Sequence, residues 1–322
     1  MLRLHFRWFA SVCLLAFTIP LGGCLFRTRQ SDRQFSNAPL KSESQQELVA
    51  YINSQAEKIR SMQATVDINA SAGDPKTGRI TDYTAIRGYV LARKPDMLRM
   101  RGLMPVVRNT AFDMVSDGKE FKLWIPPKNK FFVGPDNETS YQPDKRMENM
   151  RPKYVYEALL PREIGPDCPV QPVCEIPVLD NGYEVVLDSK RRRVEQPDYE
   201  ILVIECQAQA CHLDRRIEFS RTDLLPHRVR IYDLQGNVAT DAHYQNYKDF
   251  NGTQFPSTIE IERPRENYDV TLNILKLDLN VPLTNDQFSL EQPAGAEIVH
   301  LSSKHPGISG ADVASATPES SN

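Results

Sequence analysis

The alternation of apolar and polar positions divides the chain into two short helices and a long series of strands. Ser44-Gln45-Gln46-Glu47 has the S-x-x-E form of a capping box, and Leu48, Val49, Ile52, Ala56 and Ile59 then fall on one helical face. Residues 152–160 predict a second helix, with Pro152 at a tolerated first-turn position and Pro161 as the stop. Elsewhere the period is two. Ala64, Val66, Ile68 and Ala70 alternate with Thr65, Asp67 and Asn69. Strands follow over 80–93, 97–101, 108–115, 121–125 and 130–133, separated by turns at 73–76, Pro95, Asp117-Gly118 and Pro126-Pro127. The stretch 162–180 is Pro-rich, holds two cysteines and reads as a stapled loop. Strands resume over 183–188, 199–206, 212–220, 227–233, 239–248, 254–262 and 268–280. In the last of these Val270, Leu272 and Ile274 are apolar on one parity, and Leu275, Leu277 and Leu279 on the other. An extra residue is required to reconcile them, so a β-bulge is expected near Ile274–Leu275. Consecutive strands with short connections predict an antiparallel meander. About a dozen strands predict a sheet that curls, here around one or both helices, with an apolar hollow inside.

The two ends of the chain do not share this patterning. Arg3 and Arg7 precede a mostly apolar run over 8–19, followed by Leu21-Gly22-Gly23-Cys24. A basic start, a short apolar stretch and small residues make a secretory signal peptide, and the run falls short of the ~20 residues that span a bilayer. The tetrad resembles the bacterial lipobox, which implies cleavage before Cys24 and its acylation. Stable anchoring then follows, at ~0.8 kcal/mol per buried methylene. The expected organisation is a signal peptide over 1–23, a lipidated tether over 24–44, one domain over 45–301 and a disordered tail over 302–322.

Composition narrows the function. With 39 Lys+Arg against 42 Asp+Glu the net charge is −3, unlike the basic excess of a nucleic-acid binder. A mean hydropathy of −0.46 argues against a multi-pass membrane protein. Beyond the leader and Cys24, four cysteines remain: Cys168, Cys174, Cys206 and Cys211. In an oxidising compartment they suggest two disulfides, and local pairs 168–174 and 206–211 are favoured among the three possible pairings. Their spacing fits a zinc site poorly. No G-x-S-x-G, H-E-x-x-H or P-loop motif occurs, and His212, His227, His243, His300 and His305 lie singly. The expectation is a protein that is not an enzyme, with no cofactor and no metal. Lys190-Arg191-Arg192-Arg193 reads as a solvated hairpin end.

Four stretches taken in order resemble the LolA/LolB lipoprotein-carrier family. They are 88–100 (Gly-Tyr-Val-Leu-Ala-Arg-Lys-Pro-Asp-Met-Leu-Arg-Met), 116–126 (Ser-Asp-Gly-Lys-Glu-Phe-Lys-Leu-Trp-Ile-Pro), the late hairpins from Leu225-Pro226 to Phe255-Pro256, and 288–299. The resemblance implies an incomplete, strongly curved antiparallel barrel of about eleven strands with a helical lid over an apolar cavity. It implies binding of lipid acyl chains or lipoproteins. The anchor on Cys24 is similar to that of the LolB-like branch, lipoproteins on the periplasmic face of the outer membrane. These receive cargo, for example from a periplasmic carrier protein, and insert it. In that branch a loop with a protruding apolar residue stands where Leu103, Met104, Pro105 and Val106 stand here, with Leu103 or Met104 as its counterpart. Arg99, Arg101 and Arg108 around it would meet phosphates. Candidate cavity-lining residues are Val90, Met100, Leu123, Trp124 and Phe131, although Leu123 and Trp124 cannot both face inward on a regular strand. A structural or sensor lipoprotein of the cell envelope, using the fold as an interaction module, is the alternative.

Overall fold

The computed structural model describes residues 33–74, 79–136, 151–165, 173–207 and 210–301. The chain divides into two units, Met1–Ser31 and Asp32–Asn322, and the described residues belong to the second. Cys24, the leader and the expected tail over 302–322 lie outside them.

Helix α1 spans Gln45–Lys58. Its capping box is made in both directions: the Ser44 hydroxyl accepts from the Glu47 N–H at 3.3 Å, and the Ser44 N–H donates to Glu47 Oε2 at 2.9 Å. Six strands follow: β1 (Ser61–Asp74), β2 (Arg79–Arg93), β3 (Met97–Leu103), β4 (Thr110–Ser116), β5 (Glu120–Ile125) and β6 (Lys130–Pro135). After α2 (Pro152–Leu159) come β7 (Val173–Leu187), β8 (Arg193–Gln207), β9 (Ala210–Ser220), β10 (Pro226–Tyr232), β11 (Val238–Phe250), β12 (Thr253–Arg263), β13 (Tyr268–Leu279) and β14 (Glu297–His300). All belong to one curved sheet, ordered β14-β6-β5-β4-β3-β2-β1-β13-β12-β11-β10-β9-β8-β7. Two antiparallel meanders, β1–β6 and β7–β13, are therefore joined by the pairing of β1 with β13. The sheet stays open, with β14 and β7 at its edges. Fourteen described strands exceed the expected eleven. One reason is that the ending pairs with β6 in parallel as β14.

The Pro-rich stretch is the first correction. Of the expected loop over 162–180, residues 166–172 lie outside the described residues, and 173–180 begin a strand that runs to Leu187 in unbroken register with β8. Pro177 is tolerated there because β7 is an edge strand with no outer neighbour to receive an N–H. The tether is the second. From residue 33 the chain is held to the domain: Gln34 bridges Leu187, Arg33 pairs with Glu184 at 2.7 Å, and the Lys41 N–H donates to the Arg221 carbonyl at 2.7 Å.

The bulge falls where the parity of the apolar residues requires it. Val66 pairs with Ile274 and Thr65 with Lys276, leaving Leu275 as the extra residue, half exposed, while Ile274 and Leu277 both turn inward. A file of cross-strand neighbours then runs Leu277–Ala64–Val90–Met100–Met114–Leu123–Phe132 over seven strands, and every member is buried. Val155 and Leu159 of α2 pack on the same cluster. A second cluster joins Leu48 and Ile52 of α1 to Tyr199, Ile201, Val203, Ile217 and Phe219.

Candidate functional site

The hollow lies under the helices in the second half of the sheet. Residues facing α1 and α2 from β9 to β12 follow the strand period: Ile217 is beside Val229, Val229 beside Ala242, and Ala242 beside Ile261. A hollow with a volume of about 630 Å³ lies along this face, bordered by Ile217, Val229, Thr240 and Tyr244. That lies within the ~300–1,000 Å³ usual for small-molecule sites. Ile217, Val229, Ile231, Tyr244, Tyr247 and Phe255 line it from the sheet, Tyr51, Ile52, Gln55 and Ile59 from α1, and Tyr154, Glu157 and Ala158 from α2.

Charged pairs surround the apolar lining. Arg263 donates to Thr240 Oγ1 and to Glu266 Oε1, both at 2.7 Å, and stacks over the Tyr154 ring at 3.3 Å. Arg162 pairs with Asp214, and Arg215 with Glu175 at 3.0 Å. Burial, then the nearby Arg162, lowers Arg215 to about 10. Glu157, on the cavity side of α2, is raised by burial against the pull of Lys153, Arg162 and Arg263. Burial also raises Tyr51 to about 12 and moves Tyr244 and Tyr247 further up, so these phenols stay neutral and serve as polar-tipped apolar walls. The lining offers contact and hydrogen bonds, and no nucleophile paired with a base is assembled in it.

None of the five expected lining residues faces this hollow. Val90, Met100 and Leu123 sit in the packed file, exposed by 2% or less. Leu123 faces the core and Trp124 the other side of the sheet, half-buried, beside the buried Phe131. The first meander is solid because successive large side chains fill its inner face; the hollow formed where that file ends. Periodicity gave strands over 212–220, 227–233, 239–248 and 254–262, but it marked neither which parity of these turns inward nor which strands lie beneath the helices.

The loop after β3 is exposed. Leu103 is half-buried at the strand end, Met104 and Pro105 are exposed, and Val106 is 98% and Val107 60% exposed. Two hydrogen bonds close the loop, Met104 N–H to the Asn109 carbonyl at 2.7 Å and Arg108 N–H to the Met104 carbonyl at 3.1 Å. Val106 takes φ 69°, a cost for a β-branched residue that the closed turn imposes. Of the expected loop residues Val106 is the most exposed, with Val107 beside it, ahead of Met104 and the half-buried Leu103. Arg99 is not free to meet phosphate: it holds Asp113 through two bonds of 3.0 and 2.7 Å. Arg101 leans on Thr110 at 2.7 Å, and Arg108 is exposed.

Cys206 and Cys211 form a disulfide across the β8–β9 hairpin. Cys174 is disulfide-bonded as well, while Cys168 lies outside the described residues. Lys190–Arg193 turn the chain from β7 to β8, organised by Asp188, which accepts from the Lys190 and Arg192 N–H groups at 2.8 Å. Among the described residues two side-chain groups have the spacing to gather a metal: Asp241, His243 and Glu262, and Glu175, Glu205 and Asp214. Each is already met by guanidinium. Arg228 grips Asp241 at 2.8 and 2.6 Å, and Arg162 and Arg215 grip Glu175 at 3.0 Å. Burial alone would raise Asp241, but the bonds from Arg228 and His243 hold it well below the carboxylate range.

No family model matches the sequence, and no curated protein matches it. Solved structures do. A LolA superfamily protein from Nitrosomonas europaea is 14% identical, with 75% of this chain and 97% of that one covered and a TM-score of 0.44. A DUF1329 family protein from Desulfovibrio piger is 13% identical, covering 76% and 95%, with a TM-score of 0.44. A domain of Vibrio parahaemolyticus described as an outer membrane lipoprotein-sorting protein is 12% identical, covering 75% and 94%, with a TM-score of 0.45. At these identities and scores the likenesses assign no activity to this chain. Among the described residues no helix is long and apolar enough to cross a membrane.

Proposed function

We propose that this chain is a non-enzymatic carrier or acceptor of acyl chains, tethered to the outer membrane through an acylated Cys24, that helps to insert lipoproteins or other lipids there. The observation that carries the reading is the hollow of about 630 Å³ between the two helices and strands β9–β12, whose lining is more apolar than polar. Each methylene transferred into it contributes ~0.8 kcal/mol, so an acyl chain is held without any covalent step. The four family-like stretches support the same reading, and so does the loop tip. Val106 and Val107 project from a closed turn beside Arg101 and Arg108, as suits entry into the acyl region of a bilayer with guanidinium at the headgroups.

The decisive experiment titrates a fluorescent fatty acid against the chain with Cys24→Ser, and follows native mass spectra for co-purified lipid. Saturable binding that is lost on filling the hollow with Val229→Trp supports the carrier. A chain that takes up no fatty acid and no phospholipid refutes it. Insertion is then read as transfer from the loaded chain to liposomes, which Val106→Glu with Val107→Glu should block while uptake persists.

A further inference from the structure

The edge strand β7 carries an open stretch of backbone beside a buried carboxyl, Asp198, whose oxygens have no hydrogen-bond partner. Leu187 donates its N–H to the Arg33 carbonyl at 2.7 Å and accepts from the Phe35 N–H at 2.8 Å, so its backbone groups point to the sheet edge. The Leu179 N–H and Pro177 carbonyl do the same, both held by the Gln45 amide at 3.0 Å. Between these points β7 runs against β8 with no register shift, so the backbones of Asn181, Tyr183 and Val185 also face outward. Among the described residues no strand pairs there, and Tyr183 and Val185 are 63% and 56% exposed.

On one face of this stretch Asp180, Gly182 and Glu184 stand beside Glu200, Asp198 and Gln196. Arg33 takes Glu184, and Arg216 takes Glu200 at 3.0 Å. Asp198 is 2% exposed, and neither of its carboxylate oxygens has a hydrogen-bond partner. A Cβ on Gly182 would stand 2.6 Å from Asp198 Oδ1 and 2.6 Å from Glu200 Oε1. Both carboxylates thus lean over a residue without a side chain, on the outermost strand.

We propose that the β7 edge from Asn181 to Val185 docks an extended basic segment of a partner protein, added as a further strand, whose Lys or Arg side chains pass over Gly182 to Asp198 and Asp180. The arm before α1 sets the pattern. Gln34 makes a parallel bridge to Leu187, and Arg33 lays its guanidinium nitrogen on Glu184 at 2.8 and 2.7 Å. Strand addition draws affinity from backbone bonds and specificity from alternate side chains. Tyr183 and Val185, on the opposite face, add apolar contact. A second copy suits the edge less well, since its own β7 would set Asp180 and Glu184 against like charges. The proposal is independent of the lipid cavity.

The test uses the full chain and a labelled synthetic octapeptide of alternating Arg and Val, with a Glu-Val peptide as control. Expected are binding of the Arg peptide alone and slowed hydrogen exchange at the Tyr183 and Val185 amides. Asp198→Asn should weaken binding about tenfold or more, as for removal of one partner of a desolvated pair. Val185→Pro removes an edge donor and spares the β8 pairing, and should abolish binding. Should Val185→Pro fail to fold, Asp198→Asn and the exchange data still decide. No binding of the Arg peptide, equal binding of both peptides, or binding without protection of those two amides overturns the proposal. So does a dimer whose formation protects them, because a second copy then holds the edge.

Discussion

Asp198 makes the most quantitative prediction. Its carboxyl is raised from the ordinary 3.8 to about 7, first by burial and then by Glu200 on its own strand and Glu184 on β7. Arg230 on β10 and Arg216 on β9 pull the other way and are outweighed; the arm's Arg33 is spent on Glu184. Below about pH 4 the folded and unfolded chains both hold the proton, and the residue costs nothing. As the pH rises from 4 to 7 the unfolded chain releases its proton and the folded chain does not, so stability falls. Above 7 the full penalty applies, about three pKa units or roughly 4 kcal/mol. Asp198→Asn keeps the shape and removes the titration. Urea unfolding at fixed m-value should show the variant equal to the parent near pH 3.5 and more stable by up to about 4 kcal/mol at pH 8. A difference that stays flat with pH, or a variant weaker at pH 8, would refute the reasoning. The same variant is predicted to bind the basic peptide worse while folding better, a combination that general damage cannot produce.

Met100→Ala should cost about 2–5 kcal/mol in urea unfolding, because its neighbours Val90 and Met114 are fully packed, yet leave fatty-acid uptake intact. Val229→Trp should do the reverse, abolishing uptake with a small change in unfolding midpoint, since its bulk enters empty space. Val106→Glu with Val107→Glu should leave stability within about 0.5 kcal/mol, both positions being exposed, and reduce liposome sedimentation. Ser44→Ala removes the two bonds of the Ser44 hydroxyl, from the Glu47 N–H and to Glu47 Oε2, while the Ser44 N–H still donates to Glu47, and should cost about 1 kcal/mol, read in the same denaturation assay.

The residues that signalled their structure from sequence are those whose signal is local. The capping box at Ser44–Glu47 needs four residues to be recognised, and the bulge at Leu275 announces itself by a parity clash within one strand. The strands from β9 to β13 fall near their expected bounds for the same reason, whereas β8 begins six residues before its expected start. What failed depended on distant partners. Pro177 and Cys174 look like part of a loop until β7 is known to be an edge. Val90, Met100 and Leu123 have the right parity to face inward, and they do, but onto one another. Arg99 reads as a free cation until Asp113, fourteen residues on, arrives on the neighbouring strand. Asp198 gives no sequence signal, because its isolation comes from Gly182 across a hairpin.

One curved sheet can thus be solid at one end and hollow at the other because its two meanders differ in what they turn inward. In the first, Met100, Met114, Leu123 and Phe132 are long enough to meet α2 and each other, and the space closes. In the second, the inner positions from β9 to β12 include Val229, Thr240 and Ala242, which are short, and Arg215 and Arg263, whose charges are drawn aside to Glu175 and Glu266. Short residues leave the gap, and paired arginines mark its rim without filling it. Lengthening an inner position there should therefore close the hollow at little cost in stability, whereas shortening one in the first meander opens a cavity that α2 cannot collapse to fill. In the proposed carrier this separation would let a ligand enter and leave one half of the sheet while the other half holds the fold.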